Sequence, residues 1–352
     1  HFLQEKGDPA EQPLPVLTQE ELQVTPQGQV ALLAGNRTQF DLNRRYADQA
    51  IRKLVERRQG AAEEHLLNVK KNAQTLSGYQ PPAGRDEPVF TGRHAKPDYV
   101  VEKYFLQQDL PLPFILLRST TAAHGRLLLV LVLHPQGKSV FTPMRENMLS
   151  LVRRGYAVVV PDLAGCGESP LGKSAGDSYD FTVGKAPYNI WYGALQVGQS
   201  PVGLRSGQIA QLVETLKKRS DVDSGRISAI ACETMGPVLL HSAAFLGQFE
   251  KIGLLDSFLS YADIVTRTYY RPEYIMSCIA GSLENYDLQD LAAALAPRPV
   301  WVVNGRDGNG ASLSTAEAEK EWSFARHVFE ISSGAENLRF ISSEQFQIYE
   351  NW

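Results

Sequence analysis

Hydrophobic and polar positions divide the 352-residue chain into a polar start, a helical stretch and a long region of alternating elements. Residues 1–36 are rich in Gln, Pro and Gly and show no sustained period, which predicts an extended arm. From Asp41 to Ser77 the apolar positions Leu42, Tyr46, Ala50 and Leu54, and later Leu66, Leu67 and Val69, recur near the three-to-four spacing of a helix. Arg, Lys and Glu fill the positions between them. Gln59-Gly60 divides this stretch into two helices, and Gly78 with Pro81-Pro82 ends it. Such an extension is either a cap packed on the body or a lid over a pocket, and the pattern leaves both open.

Beyond residue 96 the period changes. Tyr99–Leu106 and Phe114–Arg118, joined through Asp109-Leu110-Pro111, read as an antiparallel hairpin. Leu127–Leu133 is a continuous apolar run, the mark of a strand covered on both faces. Further strands are predicted at Tyr156–Pro161, Arg226–Ala231, Lys251–Asp256, Val300–Asn304 and Leu338–Ile341. Helices are predicted at 143–154, 204–219, 236–246, 288–295, 315–332 and 344–352. Residues 170–204 form a long connection carrying Tyr179, Phe181, Tyr188, Trp191 and Tyr192. Residues 257–285 read as irregular. Eight strands alternating with helices after an initial hairpin predict a doubly wound, mostly parallel α/β sheet with an N-terminal helical extension. The division expected is 1–96 for arm and extension and 97–352 for the main domain. Ligands in such sheets bind beyond the carboxyl ends of the strands.

Composition narrows the function classes. A net charge of −4 with no dominant basic patch argues against nucleic acid as a partner. No apolar run approaches the ~18 residues of a membrane helix. Cys166, Cys232 and Cys278 are widely spaced and form neither a metal-ligand pattern nor a disulfide framework. No His and carboxylate cluster has ligand spacing, so neither metal nor cofactor is expected. The chain opens on His1, which reads as a piece of a longer protein.

Chemistry concentrates at Ile227-Ser228-Ala229-Ile230-Ala231-Cys232-Glu233-Thr234-Met235-Gly236, an apolar strand running into a turn of small residues and then a helix. That is the layout of a nucleophile elbow. Other passages are His134-Pro135-Gln136-Gly137-Lys138, Arg154–Glu168 with its Pro161-Asp162-Leu163-Ala164-Gly165-Cys166-Gly167, then Tyr286–Leu291, Ala296–Pro299 and Asn304-Gly305-Arg306-Asp307. On these passages residues 97–352 resemble the α/β-hydrolase superfamily, and more closely its bacterial acetyl xylan esterase-like branch. The resemblance implies a Ser, Asp, His triad in that chain order and an oxyanion hole of backbone amides.

Carried over residue by residue, the nucleophile position falls on Thr234 in the frame Cys232-x-Thr234-x-Gly236, and the acid position on Asp307, with Asp256 as substitute. A β-branched Thr fits the positive φ of an elbow poorly, and Cys232 is expected to point into the packing. The family's His lies after the last strand, where this chain reads Ile341-Ser342-Ser343-Glu344-Gln345-Phe346, without a His. The oxyanion hole would come from Met235 and from the loop at Pro135. His134 would shape that loop, and the aromatic segment with Trp191 and Tyr192 would either line a ligand pocket or pack as a satellite cluster on the core. Two readings follow. One is a catalytically degenerate esterase domain, a binding or structural module, alone or within a larger multi-domain esterase. The other is an active carboxylic ester hydrolase that deacetylates plant polysaccharide with a non-standard nucleophile. The resemblance implies an acylated carbohydrate as ligand, a partner esterase domain, and export to the periplasm or cell exterior.

Overall fold

The computed structural model describes residues 10, 14–60, 62–82, 87–107, 109–121, 125–169, 188–342 and 348–352. Its strands are β1 (Val89–Ala95), β2 (Tyr99–Leu106), β3 (Leu112–Ser119), β4 (Leu127–Leu133), β5 (Tyr156–Pro161), β6 (Val222–Cys232), β7 (Ile252–Leu255), β8 (Val300–Val303) and β9 (Leu338–Ile341). They form one sheet in the order β1-β2-β3-β5-β4-β6-β7-β8-β9. The first strands pair antiparallel as far as β3 on β5, and from β5 onward every pairing is parallel.

The helices are α1 (Gln39–Gly60), α2 (Ala62–Ser77), α3 (Arg145–Arg153), α4 (Tyr188–Gln196), α5 (Pro201–Lys217), α6 (Met235–Leu246), α7 (Tyr261–Thr266), α8 (Leu288–Ala293), α9 (Thr315–Glu321), α10 (Ser323–Ile331) and α11 (Ile348–Asn351). They cover both faces of the sheet. Side chains of β4 show why: Leu129, Leu131 and Leu133 join the core under α5, α6, α8 and α10. Val130 and Val132 join the opposite core under α3 and α11. A side chain buried this way contributes about 1.5–3 kcal/mol relative to exposure, so the unbroken apolar run is stabilised from both sides.

The sheet has nine strands where eight were expected. The additional one, β1, is exposed at nearly every position, so it carries no alternation to read. It falls before residue 97 and pairs with β2 from Val89↔Phe105 to Ala95↔Val100. The expected helix 315–332 is two helices meeting at Trp322, and α9 begins in a capping box of Ser314 and Glu317. Within 257–285 the chain forms α7 and a 3-10 turn at Pro272–Ser277.

The extension packs as a cap. Leu54, Val69 and Ala73 are buried, whereas Tyr46 is 61% and Leu67 80% exposed, contrary to the periodic reading. The docking face is set by what lies beneath. Arg58 donates to Asp290 through Nε (2.8 Å) and Nη2 (2.5 Å), and His65 Nε2 lies 2.8 Å from the same carboxylate. Asp290 is itself buried and completes the capping box of α8 with Asp287.

Candidate active site

The carboxyl ends of β6, β7 and β8 lie side by side, because Cys232 pairs with Leu255 and Leu255 with Val303. The next residue of each strand is therefore in one row: Glu233, Asp256 and Asn304. Each has positive φ, at 51°, 54° and 56°. Each N–H donates to the last carbonyl of the neighbouring strand: Glu233 to Leu255 (2.7 Å), Asp256 to Val303 (3.0 Å), Asn304 to Ile341 (2.9 Å). Three non-glycine residues in the left-handed region, at the ends of three neighbouring strands, store strain of ~1–3 kcal/mol each, and such outliers cluster at functional sites.

The elbow is Glu233, one residue earlier than the expected Thr234. Thr234 has φ −67° and ψ −7° and opens α6. The reason is the length of β6, which keeps Cys232 in the ladder with Leu255, so the turn begins at 233. The Thr234 carbonyl accepts from Ser277 Oγ at 2.6 Å. The steric objection raised by a β-branched residue at positive φ does not arise, since Thr234 is helical. Gly236 is required for a different reason: a Cβ there would sit 1.9 Å from Ser257 Oγ, so α6 is pressed against the turn behind β7.

Glu233 is exposed and carries neither hydroxyl nor thiol. Cys232 is buried, its Sγ 3.6 Å from Tyr349 Oη. Burial pushes its thiol up to about 12, opposite to what a thiolate nucleophile needs. His241 does not approach the elbow as a base. It is buried, its Nδ1 is 2.6 Å from the Pro237 carbonyl and its Nε2 2.9 Å from Tyr286 Oη. Burial lowers its pKa to about 4.

His134 does stand at this edge. Its Nδ1 accepts from the Gln136 N–H at 3.1 Å. Burial lowers its pKa, and the negative charge of Glu233 pulls the other way. The loop behind it is a poor oxyanion donor set. Pro135 has no N–H, which removes it from that role. Gly137 N–H donates to the His134 carbonyl (2.9 Å) and Lys138 N–H to Asp162 Oδ1 (2.6 Å). Met235, the other expected donor, is the first helical residue of α6 and is buried.

Asp307 is bonded within its own turn and to Arg267. Its Oδ1 accepts from Asn309 N–H (2.9 Å) and Ala311 N–H (2.8 Å), and its Oδ2 lies 3.0 Å from Arg267 Nη2. It lines a charged cavity of about 450 Å³ with Asp263, Asp287, Arg306 and Glu321. The carboxylate in the row beside Glu233 is Asp256, which accepts from Asn304 Nδ2 (3.2 Å) and from Arg306. Sequence reasoning missed Glu233, Asn304 and Arg306. The available signal was the distance to Gly236, which sits three residues past the elbow rather than two.

Trp191 and Tyr192 lie on α4, their rings 5.2 Å apart and edge to face. Trp191 Nε1 donates to the Cys278 carbonyl at 3.1 Å. Both line an aromatic groove of about 600 Å³ with Phe40, Tyr261 and Tyr270, and His134 is not part of it. Glu344 and Gln345, at the expected His position, and Tyr179 and Phe181 lie outside the described residues.

No protein-family model matches the sequence, and no curated protein matches it. Among solved structures the chain is similar to a candidate acetyl xylan esterase from Bacteroides fragilis, at 16% identity and a TM-score of 0.63 over 94% of this chain and 88% of that one. It is also similar to a glucuronoyl esterase from Solibacter usitatus (13% identity, TM-score 0.55, 81% of this chain and 91% of that one). A glucuronoyl esterase from Teredinibacter turnerae is a third (13%, 0.52, 80% and 82%). At these identities the likeness establishes the fold, which is that of an α/β-hydrolase.

Proposed function

We propose that this is a carbohydrate esterase-like domain that binds acylated polysaccharide without hydrolysing it. The observation that carries the reading is Glu233 at the elbow, with φ 51°. A carboxylate attacking an ester could reach an anhydride only by expelling an alkoxide, and the tetrahedral adduct instead expels the carboxylate, the better leaving group, and returns the ester. The neighbouring alternatives are a helical Thr234 and a buried, protonated Cys232, and no His follows Ile341 in the sequence. The names of the structural neighbours, acetyl xylan and glucuronoyl esterases, support carbohydrate as the ligand class. The groove at Trp191 and Tyr192 offers aromatic faces for sugar rings. The same reading makes the domain an exported module working beside a catalytically complete esterase domain. No described helix is long and apolar enough to cross a membrane.

The test is acetate release from 4-nitrophenyl acetate and acetylated xylan by wild type, Thr234→Ala and Glu233→Gln, with xylan retention measured in parallel by affinity electrophoresis. All three proteins are expected at the buffer rate, with retention weakened by Trp191→Ala. Turnover above buffer in wild type that either elbow substitution abolishes would overturn the reading.

A further inference from the structure

Two partly buried cations of this chain have carboxylates: Arg58 has Asp290, and Lys138 has Asp162. Arg205 has none. It lies in the second turn of α5 and is 4% exposed. Its Nε donates to the Ala164 carbonyl at 2.9 Å, its one hydrogen bond among the described residues. A guanidinium carries five N–H donors and cannot shed its charge. The group acting electrostatically on it is the Cys166 thiol, which burial keeps protonated.

A second orphan sits beside it. Gln208 Oε1 accepts from Ala164 N–H at 2.8 Å, so the backbone of Ala164 is held at both its N–H and its carbonyl. Gln208 Nε2 is buried and has no partner among the described residues. Residues three apart on a helix share a face, so these donors belong to one side of α5. They cannot turn away, because the opposite side is pressed against the chain at 77–80. A Cβ on Gly203 would meet the Ser77 carbonyl at 2.1 Å, and one on Gly207 the Gln80 carbonyl at 3.0 Å.

The position in the fold is the ligand-binding edge. α5 runs down into the start of β6, so its N-terminal half stands at the carboxyl end of the sheet. It lies between the turn behind β5 and α6, where Ser242 Oγ donates to Ser206 Oγ at 3.2 Å. The N-terminal end of the helix dipole adds positive potential there. Buried charges are paired in stable proteins, and a guanidinium fork matches the two oxygens of a carboxylate.

We propose that Arg205 and Gln208 form a carboxylate-binding site at the carboxyl edge of the sheet. Its ligand is either a free short-chain acid or the carboxylate of an acidic sugar. The choice of probes rests on the carbohydrate esterase-like reading; the site itself does not.

The experiment is thermal unfolding and titration calorimetry at pH 7 and constant ionic strength, with sodium acetate, sodium glucuronate, neutral glucose and sodium chloride. Wild type is expected to gain several degrees of Tm, saturably, with a carboxylate and not with glucose or chloride. A response to acetate and glucuronate alike assigns a site for any carboxylate, and a response to glucuronate alone assigns the acidic sugar. Arg205→Met is expected to lose the response. Gln208→Glu places a carboxylate beside Arg205 from within the chain, so it is expected to raise the Tm of the free protein and abolish the response. It decides the matter should Arg205→Met fail to fold. No carboxylate response in wild type, a response retained in Arg205→Met, or a lower Tm in Gln208→Glu would each overturn the proposal. Binding is read without turnover, so esterase silence bears only on the functional reading above.

Discussion

The position of the elbow can be tested without any assay of function, by comparing Ala with Gly at residues 233 and 234. A non-glycine residue in the left-handed region is disfavoured by ~1–2 kcal/mol relative to its right-handed alternatives. Glycine escapes this but loses more backbone entropy on folding, about 0.5–1 kcal/mol relative to Ala. At Glu233, with φ 51° and an exposed side chain, the first effect wins. Glu233→Gly should be more stable than Glu233→Ala by about 1 kcal/mol. At Thr234, with φ −67°, no strain is relieved and only entropy changes. Thr234→Gly should therefore be less stable than Thr234→Ala by about 0.5–1 kcal/mol, and the sign reverses between adjacent residues. Urea unfolding reads this directly. With a slope of ~3 kcal/mol per molar, 1 kcal/mol moves the midpoint by about 0.3 M. If Gly is the worse residue at both positions, the elbow does not lie at 233 and the structural argument for a lost nucleophile fails with it.

Other consequences are equally direct. Gly236→Ala drives a methyl to within 1.9 Å of Ser257 Oγ. It should cost about 1–3 kcal/mol as overpacking, with partial rescue by Ser257→Gly; an unchanged urea midpoint would contradict the packing. Cys232 and Cys278, whose thiols burial pushes up to about 12, should resist an aromatic disulfide reagent at pH 8 in the native state and react once the chain is unfolded in guanidinium. Rapid native labelling of Cys232 would revive it as a nucleophile. His241 has a folded pKa lowered by burial from 6.5 to about 4. Between those values the unfolded chain binds the proton that the folded chain refuses, so stability is full above pH 6.5 and falls as pH drops toward 4. The loss amounts to ~3 kcal/mol at ~1.4 kcal/mol per tenfold change in proton affinity. His241→Gln should flatten the urea midpoint across this window, and parallel pH curves for the two proteins would refute the assignment.

What could be read from the chain by itself followed from burial. Leu127–Leu133 and Tyr156–Pro161 are apolar throughout because both faces of the central strands are covered, and that periodicity is local. It was sufficient for the parallel sheet, the alternating helices and the position of the sheet's carboxyl edge. It was not sufficient for β1, whose exposed residues leave no pattern although hydrogen bonds to β2 hold it in place. Nor did it distinguish Leu54 from Tyr46 as the docking side of α1, a choice made by the partners that cap covers.

The chemistry depended on single residues, where local pattern has least to say. Whether Glu233 or Thr234 takes the turn depends on how far β6 pairs with β7, a long-range hydrogen-bond register. Asp307 matches a motif, but its pairing with Arg267, forty residues earlier in the chain, is not written in that motif. Arg205 looks in sequence like any polar residue of an amphipathic helix, and only packing reveals that it is buried with no countercharge among the described residues. The composition of a strand is set by whether its surroundings are apolar, so the chain records it. The direction and pairing of one charged side chain are set by neighbours brought together by folding, so only the tertiary structure decides them.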